Sequence, residues 1–367
     1  MKDYLVFVPN LQGGGAEKIA VNLSNSLSEQ NNTYLMFLSE KKLNKNKLNK
    51  KLKLIKLNKT RLIFSILNII KFLYKTKNET VIISFLNAPN LLFCLIKFFF
   101  KFKKIKLVLT IHNSMSNNYQ DSNLKGKIII LLLKYFSTYS NKIICVSKFV
   151  KYDLIKNWNF DIKNLITIYN PAINEDEIKS LSNKFNPFIN KLKKKNFNII
   201  LSIGRLTKQK NYHLLINSFY KVSKTIDNII LIILGDGELK NDLYNLVKKK
   251  KLLDKVYFLG FQQNPYNYIY NSDLVVLSSD WEGLPTVLIE SLYLKKKIVS
   301  TNCNGGCSEI LDNGKYGYLT PTNNSDKLCK KIILALNSPK KKIDQIFLKQ
   351  FIDKNVLKKY STILNKI

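Results

Sequence analysis

Short apolar runs, each closed by a polar or glycine-bearing turn and followed by a helix-forming stretch, recur along the whole of this chain. They fall at Tyr4–Val8, Thr33–Leu38, Val81–Ser84, Leu107–Ile111, Lys142–Val146 and Leu165–Ile168, and a second series follows. That series runs Phe197–Ile203, Ile229–Leu234, Val256–Leu259, Leu274–Leu277 and Lys297–Ser300. Strands alternating with helices imply parallel sheets covered by helices on both faces. At 367 residues the chain can build two such units, each with its own core. A lysine- and asparagine-rich stretch, 178–196, separates the two series and reads as a linker. The expected architecture is therefore α/β, with doubly wound Rossmann-like domains over 1–177 and 197–345 and a cleft between them. Ligands of such sheets bind beyond the carboxyl ends of the strands. Residues 41–59 read as a lysine-rich loop.

The densest chemistry follows the run Leu274–Leu277. Ser278 to Glu290 reads Ser-Ser-Asp-Trp-Glu-Gly-Leu-Pro-Thr-Val-Leu-Ile-Glu, a short loop into a helix that begins near Pro285. Proline suits a first helical turn because its φ is preset and it needs no N–H there. The backbone N–H groups of Leu284, Thr286 and Val287, at the helix start after Gly283, offer a site for an anion. Glu282 lies at the mouth of the loop, and Glu290 lies on the helix face of Thr286. The turn thus offers donors for a phosphate and two acceptors for hydroxyl groups, which is what a nucleotide sugar requires. Arg205 and Lys210 follow the strand 197–203 and the turn-permitting Gly204, so both can point into the cleft. Arginine would present a planar fork to the phosphates and lysine a point charge; Lys208 competes for the second role.

Glu-x7-Glu between a strand and a helix is similar to the donor-site signature of the retaining glycosyltransferases of family 4, which have the GT-B architecture. Three further segments stand in the matching order: Gly204-Arg-Leu-Thr-Lys-Gln-Lys210, Gly235-Asp-Gly-Glu238, and Val256-Tyr-Phe-Leu-Gly-Phe261. The resemblance is strongest over 197–321. It implies that Glu282 orients the donor sugar, that Glu290 accepts from the ribose, and that Leu259, Gly260 and Phe261 frame the base. It also implies that His112, which ends the strand 107–111, lies near the sugar. The turn Gln12-Gly-Gly-Gly-Ala-Glu17 lacks the third glycine of a dinucleotide fingerprint. Gly14 and Gly15 instead resemble the acceptor-side loop that faces the diphosphate. The last helix, 346–367, is expected to pack back on the first domain. Asp236 reads as a turn residue, and Glu309 as a helix cap or a weaker site candidate.

Sixty Lys+Arg against 25 Asp+Glu give a net charge of +35, a balance that favours anionic partners. The excess is diffuse, +18 in residues 1–180 and +17 in the rest. No recognition helix or aromatic platform accompanies it, so no nucleic-acid partner is expected. The field would still attract anionic lipid head groups. Five cysteines without a Cys-x-x-Cys pair, and two distant histidines, argue against a disulfide framework or a zinc site. Without an Asp-x-Asp pair, no metal and no other cofactor is expected. Tyr4–Val8 is too short for a signal peptide, and no run reaches transmembrane length. The apolar, lysine-flanked run Leu91–Phe102 is the expected membrane contact.

The expected function is retaining transfer of a hexose or N-acetylhexosamine from a nucleotide-diphosphate sugar, preferably a UDP-sugar. The expected acceptor is a lipid-linked or surface-polysaccharide precursor, and the expected place is the cytoplasmic face of a membrane. Two alternatives stay open: a sugar-nucleotide epimerase on the same fold, and a non-enzymatic nucleic-acid binder.

Overall fold

The computed structural model describes residues 2–11, 15–40 and 48–367. The chain divides into two compact units, Met1–Pro171 with Lys354–Ile367, and Ala172–Asp353.

The first unit carries β1 (Asp3–Phe7), β2 (Asn10–Leu11), β3 (Asn32–Phe37), β4 (Ser39–Glu40), β5 (Lys53–Lys56), β6 (Thr80–Phe85), β7 (Ile105–Ile111), β8 (Lys142–Cys145) and β9 (Leu165–Thr167). Seven of these form a parallel sheet in the order β5-β3-β1-β6-β7-β8-β9, and β2 pairs with β4. The central strands are buried on both faces, which is why they read as continuous apolar runs. The terminal helix Asp353–Asn365 places Val356, Tyr360 and Leu364 one turn apart, and all three join the core of this sheet. Tyr4 Oη donates to Asn365 Oδ1 at 3.1 Å and fastens its end.

The second unit carries β10 (Asn198–Ile203), β11 (Ile229–Leu234), β12 (Val256–Phe258), β13 (Leu274–Leu277), β14 (Lys297–Thr301) and β15 (Tyr318–Thr320), in the parallel order β12-β11-β10-β13-β14-β15. β10 pairs with β11 from Asn198–Ile229 to Ile203–Leu234 and with β13 on its other side. The chain therefore winds one way from β10 to β12 and the other way from β13 to β15. In such sheets the reversal of winding between β10 and β13 marks a crevice at the carboxyl edge.

Three expectations change. The stretch 178–196 is not an open linker. It contains most of the helix Glu175–Ser182 and all of Pro187–Lys194, which bury Ile178, Ile189 and Leu192 in the second unit. Asn264 Nδ2 donates to Leu181 O at 2.9 Å. Its lysines occupy the solvent side of a narrow apolar stripe, so composition alone hides the helices. Residues 346–353 stay with the second unit, where Ala172 N and Ile173 N donate to Phe351 O at 3.1 Å. Within 41–59, residues 53–56 form the edge strand β5, while 41–47 lie outside the described residues.

Candidate functional site

Each side of the crevice is built by a turn that the sequence dictates. After β10, Gly204 leaves room for a long side chain: a Cβ there would sit 3.1 Å from Lys210 Cε. Asn211 takes a left-handed φ of 44°, which asparagine tolerates better than most residues, and its Oδ1 accepts from Leu214 N at 3.1 Å. That cap turns the chain into the helix Tyr212–Val222 and leaves Lys210 directed at the loop after β13.

The two loops are tied by backbone and side-chain bonds. Asp280 N donates to Gln209 O at 2.9 Å, Gln209 Nε2 to Trp281 O at 2.8 Å, and Ser278 Oγ to Lys210 O at 2.9 Å. Asn211 Nδ2 donates to Asp280 Oδ1 at 2.8 Å. Burial raises the pKa of Asp280, and this hydrogen bond and Lys208 oppose the rise. At the centre, Lys210 Nζ lies 2.5 Å from Glu282 Oε1, and Ser279 Oγ donates to the same oxygen at 2.6 Å. Glu282 is 5% exposed. A carboxylate buried to that degree needs both partners.

Two glycine turns brace these loops. Gly305 N-terminal to the helix Cys307–Ile310 packs on Glu282, so that a Cβ at Gly305 would lie 2.2 Å from Glu282 O. Glu282 N donates to Asn304 O at 3.0 Å and Gly306 N to Gly283 O at 3.0 Å. After β11, Gly237 packs against Leu206, whose N–H donates to Asp236 O at 3.0 Å. Asp236 itself accepts from Gly237 N at 2.9 Å, the behaviour of a turn residue.

The helix Thr286–Tyr293 begins beside Pro285, which stands at its N-cap. Pro285 offers no side-chain cap, and Leu288 N donates to Pro285 O at 3.1 Å, so Thr286 and Val287 carry the amides that can meet an anion. Glu290 is half-buried on this helix, and Arg205 is exposed beside the crevice. Gly260 holds a φ of 66° and accepts from Gly235 N at 2.8 Å, and the next ring, Phe261, is half exposed. Glu309 lies half-buried on its short helix.

In the first unit, His112 follows β7 and lines a pocket of about 320 Å³ with Asn87, Asn113 and Asn118. Its ring stacks on Phe85 at 5.2 Å, and its Nε2 lies 3.0 Å from Thr110 Oγ1. Thr110 donates its only hydroxyl hydrogen to Ser84 O at 2.9 Å. Both contacts are satisfied when Nε2 carries the histidine proton and Nδ1 is an acceptor. Burial lowers the pKa of His112 to about 4, so the ring is neutral near pH 7. Leu86 on the pocket wall adopts a φ of 75°, a strained conformation of the kind that clusters at functional sites. Gly15 opens the helix Gly15–Ser28 with open space at its Cβ position, and Gly14 lies outside the described residues.

These loops and both halves of the chain match known proteins. The family described as "Glycosyltransferase Family 4" matches residues 13–173, and "Glycosyl transferases group 1" matches residues 184–347. An uncharacterized glycosyltransferase of Methanocaldococcus jannaschii is 35% identical over 276 residues, which is 71% of this chain and 67% of that protein. The chain belongs to glycosyltransferase family 4. A second relative is the N-acetylgalactosamine-N,N'-diacetylbacillosaminyl-diphospho-undecaprenol 4-alpha-N-acetylgalactosaminyltransferase of Campylobacter jejuni. It is 29% identical over 336 residues, 88% of this chain and 87% of its own. The crystal structure of Anabaena HepE in complex with UDP and glucose aligns with a TM-score of 0.78, 17% identity and full coverage of both chains. The fold is GT-B, and the enzyme is a glycosyltransferase.

For this family 4 enzyme the structure joins two of the expected residues, Lys210 and Glu282, in direct contact, and sets Gly283 beside Gly306. Sequence reasoning missed Ser279, Gln209 and Gly305, which hold Glu282 and its loop. The Gly305-Gly306 pair in the loop between β14 and the helix Cys307–Ile310 was the available signal. Among the described residues, no group of three His, Cys, Asp or Glu side chains could hold a metal ion. Cys303 and Cys307 lie with their sulfurs 3.5 Å apart, and their mutual hydrogen bond and burial push the Cys303 thiol up.

The expected membrane contact at Leu91–Phe102 also changes. The helix Asn87–Phe100 buries Leu91, Leu92, Phe93, Cys94 and Ile96, and only its end is open. A helix apolar all round is a core helix. Besides Phe99 and Phe100 at that end, exposed apolar side chains of this unit gather on residues 62–75 and the helix Leu124–Phe136, including Leu67 at 70% and Tyr135 at 80% exposure. No helix among the described residues is long and apolar enough to cross a membrane.

Proposed function

We propose that this enzyme transfers a hexose or N-acetylhexosamine, with retention, from a UDP-sugar to a lipid-linked or surface-polysaccharide glycan precursor. The observation that carries the donor assignment is the Lys210–Glu282 contact across the crevice, 2.5 Å long and braced by Ser279. A cation, a helix start without a side-chain cap and a buried carboxylate there meet the two needs of a nucleotide sugar. Arg205, Lys210 and the amides from Gly283 to Val287 would take the diphosphate, and Glu282 would orient the sugar. Glu290 would accept from the ribose, while Gly260 and Phe261 would frame the base. His112, neutral near pH 7, would accept from a sugar hydroxyl at its own pocket in the first unit.

Retention follows if the acceptor attacks on the face the leaving diphosphate vacates and passes its proton to a phosphate oxygen. Catalysis is then positioning and stabilisation of leaving-group charge, which these cations and amides supply without a metal ion. The C. jejuni relative acts on a diphospho-undecaprenol glycan by name, which supports a lipid-linked acceptor here. Work at a cytoplasmic, anionic membrane face is part of the same reading. Tyr74 contacts Phe100 and Phe102, and Phe98 contacts Phe136 and Tyr139, so aromatic rings link the ends of three helices. Lys71, Lys75, Lys125, Lys127 and Lys134 flank the exposed apolar residues there. Apolar side chains among lysines suit an anionic interface.

The test is a thermal-shift titration with UDP, GDP, ADP, their sugar conjugates and a DNA duplex, followed by NMR of the product anomer. Saturable stabilisation by UDP and its sugars, with an α product from an α donor, is the expected result. Release of a free epimerised sugar nucleotide without acceptor would favour an epimerase. A shift from DNA alone would overturn the transferase site. Co-sedimentation with vesicles containing phosphatidylglycerol, but not with neutral ones, is expected; equal binding to both would remove the membrane part.

A further inference from the structure

Two side chains converge on one oxygen of Glu282, and they are held in different ways. Lys210 reaches Oε1 at the end of a flexible four-carbon stem and keeps 16% of its side chain exposed. Ser279 is fully buried at the end of β13, and its carbonyl accepts from Thr301 Oγ1 at 2.5 Å, where β14 ends. Its hydroxyl donates to Oε1 at 2.6 Å, and an ionised carboxylate only accepts. The serine bond belongs to the scaffold, whereas the lysine bond can be exchanged for another anion.

A donor diphosphate at this crevice is such an anion, and its charge exceeds that of a carboxylate. When Lys210 turns toward it, a carboxylate that is 5% exposed loses its cation. An unpaired buried carboxylate reorients unless another donor holds it. A hydrogen bond from a neutral donor to a charged acceptor is strong enough to oppose this. We propose that Ser279 is a positioning residue of the transfer reaction. It fixes Glu282 Oε1 as Lys210 passes to the diphosphate, so that Oε2 stays aimed at a hydroxyl of the donor sugar. The inference rests on the donor-site reading above.

Ser279 then matters only when both the diphosphate and the sugar are present, and only through Glu282. The experiment compares wild type, Ser279→Ala, Glu282→Ala and the double variant. Binding of UDP, UDP-glucose, UDP-N-acetylglucosamine and UDP-N-acetylgalactosamine is measured by calorimetry, with kcat and KM for the sugar that binds. Ser279→Ala should keep UDP affinity within about threefold and lose about tenfold to a hundredfold in kcat/KM for the UDP-sugar, mostly in kcat. In the Glu282→Ala background, which offers no acceptor to Ser279, Ser279→Ala should change neither quantity. Glu282→Ala should bind free UDP more tightly, because Lys210 no longer leaves a carboxylate to reach it. Ser279→Cys, close in shape but a weak donor, should show the same split and replaces the alanine variant if that fails to fold.

Equal losses for UDP and the UDP-sugar would overturn the proposal, as would an undiminished effect in the Glu282→Ala background. Normal turnover by Ser279→Ala would do so too. Wild-type protein that binds no UDP or UDP-sugar would remove the donor-site reading and this inference together. That outcome is distinct from normal binding that Ser279 leaves untouched.

Discussion

Gly305→Ala puts the bracing of Glu282 to a quantitative test. A Cβ at this position would lie 2.2 Å from Glu282 O and 2.7 Å from its carbonyl carbon. Ordinary carbon–oxygen contacts begin near 3.3 Å, so one of the two backbones must move by about 1 Å. These neighbours are backbone atoms, not the end of a flexible side chain, so no rotamer change can relieve the clash. Gly305 also sits at φ 154°, where an alanine adds about 1–2 kcal/mol of strain. Overpacking adds about 1–3 kcal/mol. The sum is below the roughly 5–15 kcal/mol stability of an ordinary protein, so the variant should fold with a lowered Tm. A displacement of about 1 Å at a positioning carboxylate costs about a hundredfold in rate, which kcat/KM with a UDP-sugar would report. Gly314→Ala is the matched control. It has φ 97° and nothing within 4 Å of its Cβ position, so it should carry backbone strain alone and keep full activity. Normal kcat/KM in Gly305→Ala, or equal losses in both variants, would refute the reasoning.

Lys210→Met should destabilise by about 3–5 kcal/mol in urea unfolding, because it strands the buried Glu282 carboxylate. Adding Glu282→Gln should recover most of that, and no recovery would mean the pair is not the cause. Arg205 is exposed, so Arg205→Ala should change stability by less than about 0.5 kcal/mol while removing about 2–4 kcal/mol of transition-state stabilisation; unchanged kcat/KM would sink its role. The His112 pKa is lowered by burial to about 4, from an ordinary value near 6.5. Below about pH 6.5 the unfolded chain therefore binds a proton that the folded ring refuses, so stability falls toward pH 4 and levels beneath it. Wild type should lose up to about 1.4 kcal/mol per pH unit more than His112→Gln across that window, less what water at the ring edge screens; parallel curves would contradict a buried neutral ring.

The strands were legible where both faces are buried. Ile229–Leu234 and Leu274–Leu277 read as unbroken apolar runs because parallel strands meet helices on each side. The edge strand Lys53–Lys56 was not, since solvent on one side admits lysines that read as loop. The same lysine excess hid the helices at 175–194, whose apolar stripes are only a few residues wide. In the other direction it made Leu91–Phe102 read as a surface segment. Counting apolar residues there could not say which faces the helix covers, and packing between the sheet and the helix Leu124–Phe136 buries it.

At the site, residues that carry charge were legible singly, and their pairing was not. Lys210 and Glu282 stand 72 positions apart, and they meet because β10 and β13 are neighbours at the point where the sheet reverses its winding. That adjacency is a property of topology, which no local spacing encodes. The residues that brace the pair were harder still to read, because Gly305 acts through the side chain it lacks and Ser279 through one fully buried hydroxyl. Neither residue has chemistry of its own to attract notice, yet each fixes where the carboxylate points. A charged site in such a fold is therefore specified twice: by the acids and bases that the sequence displays, and by small residues whose meaning appears only with their neighbours in place.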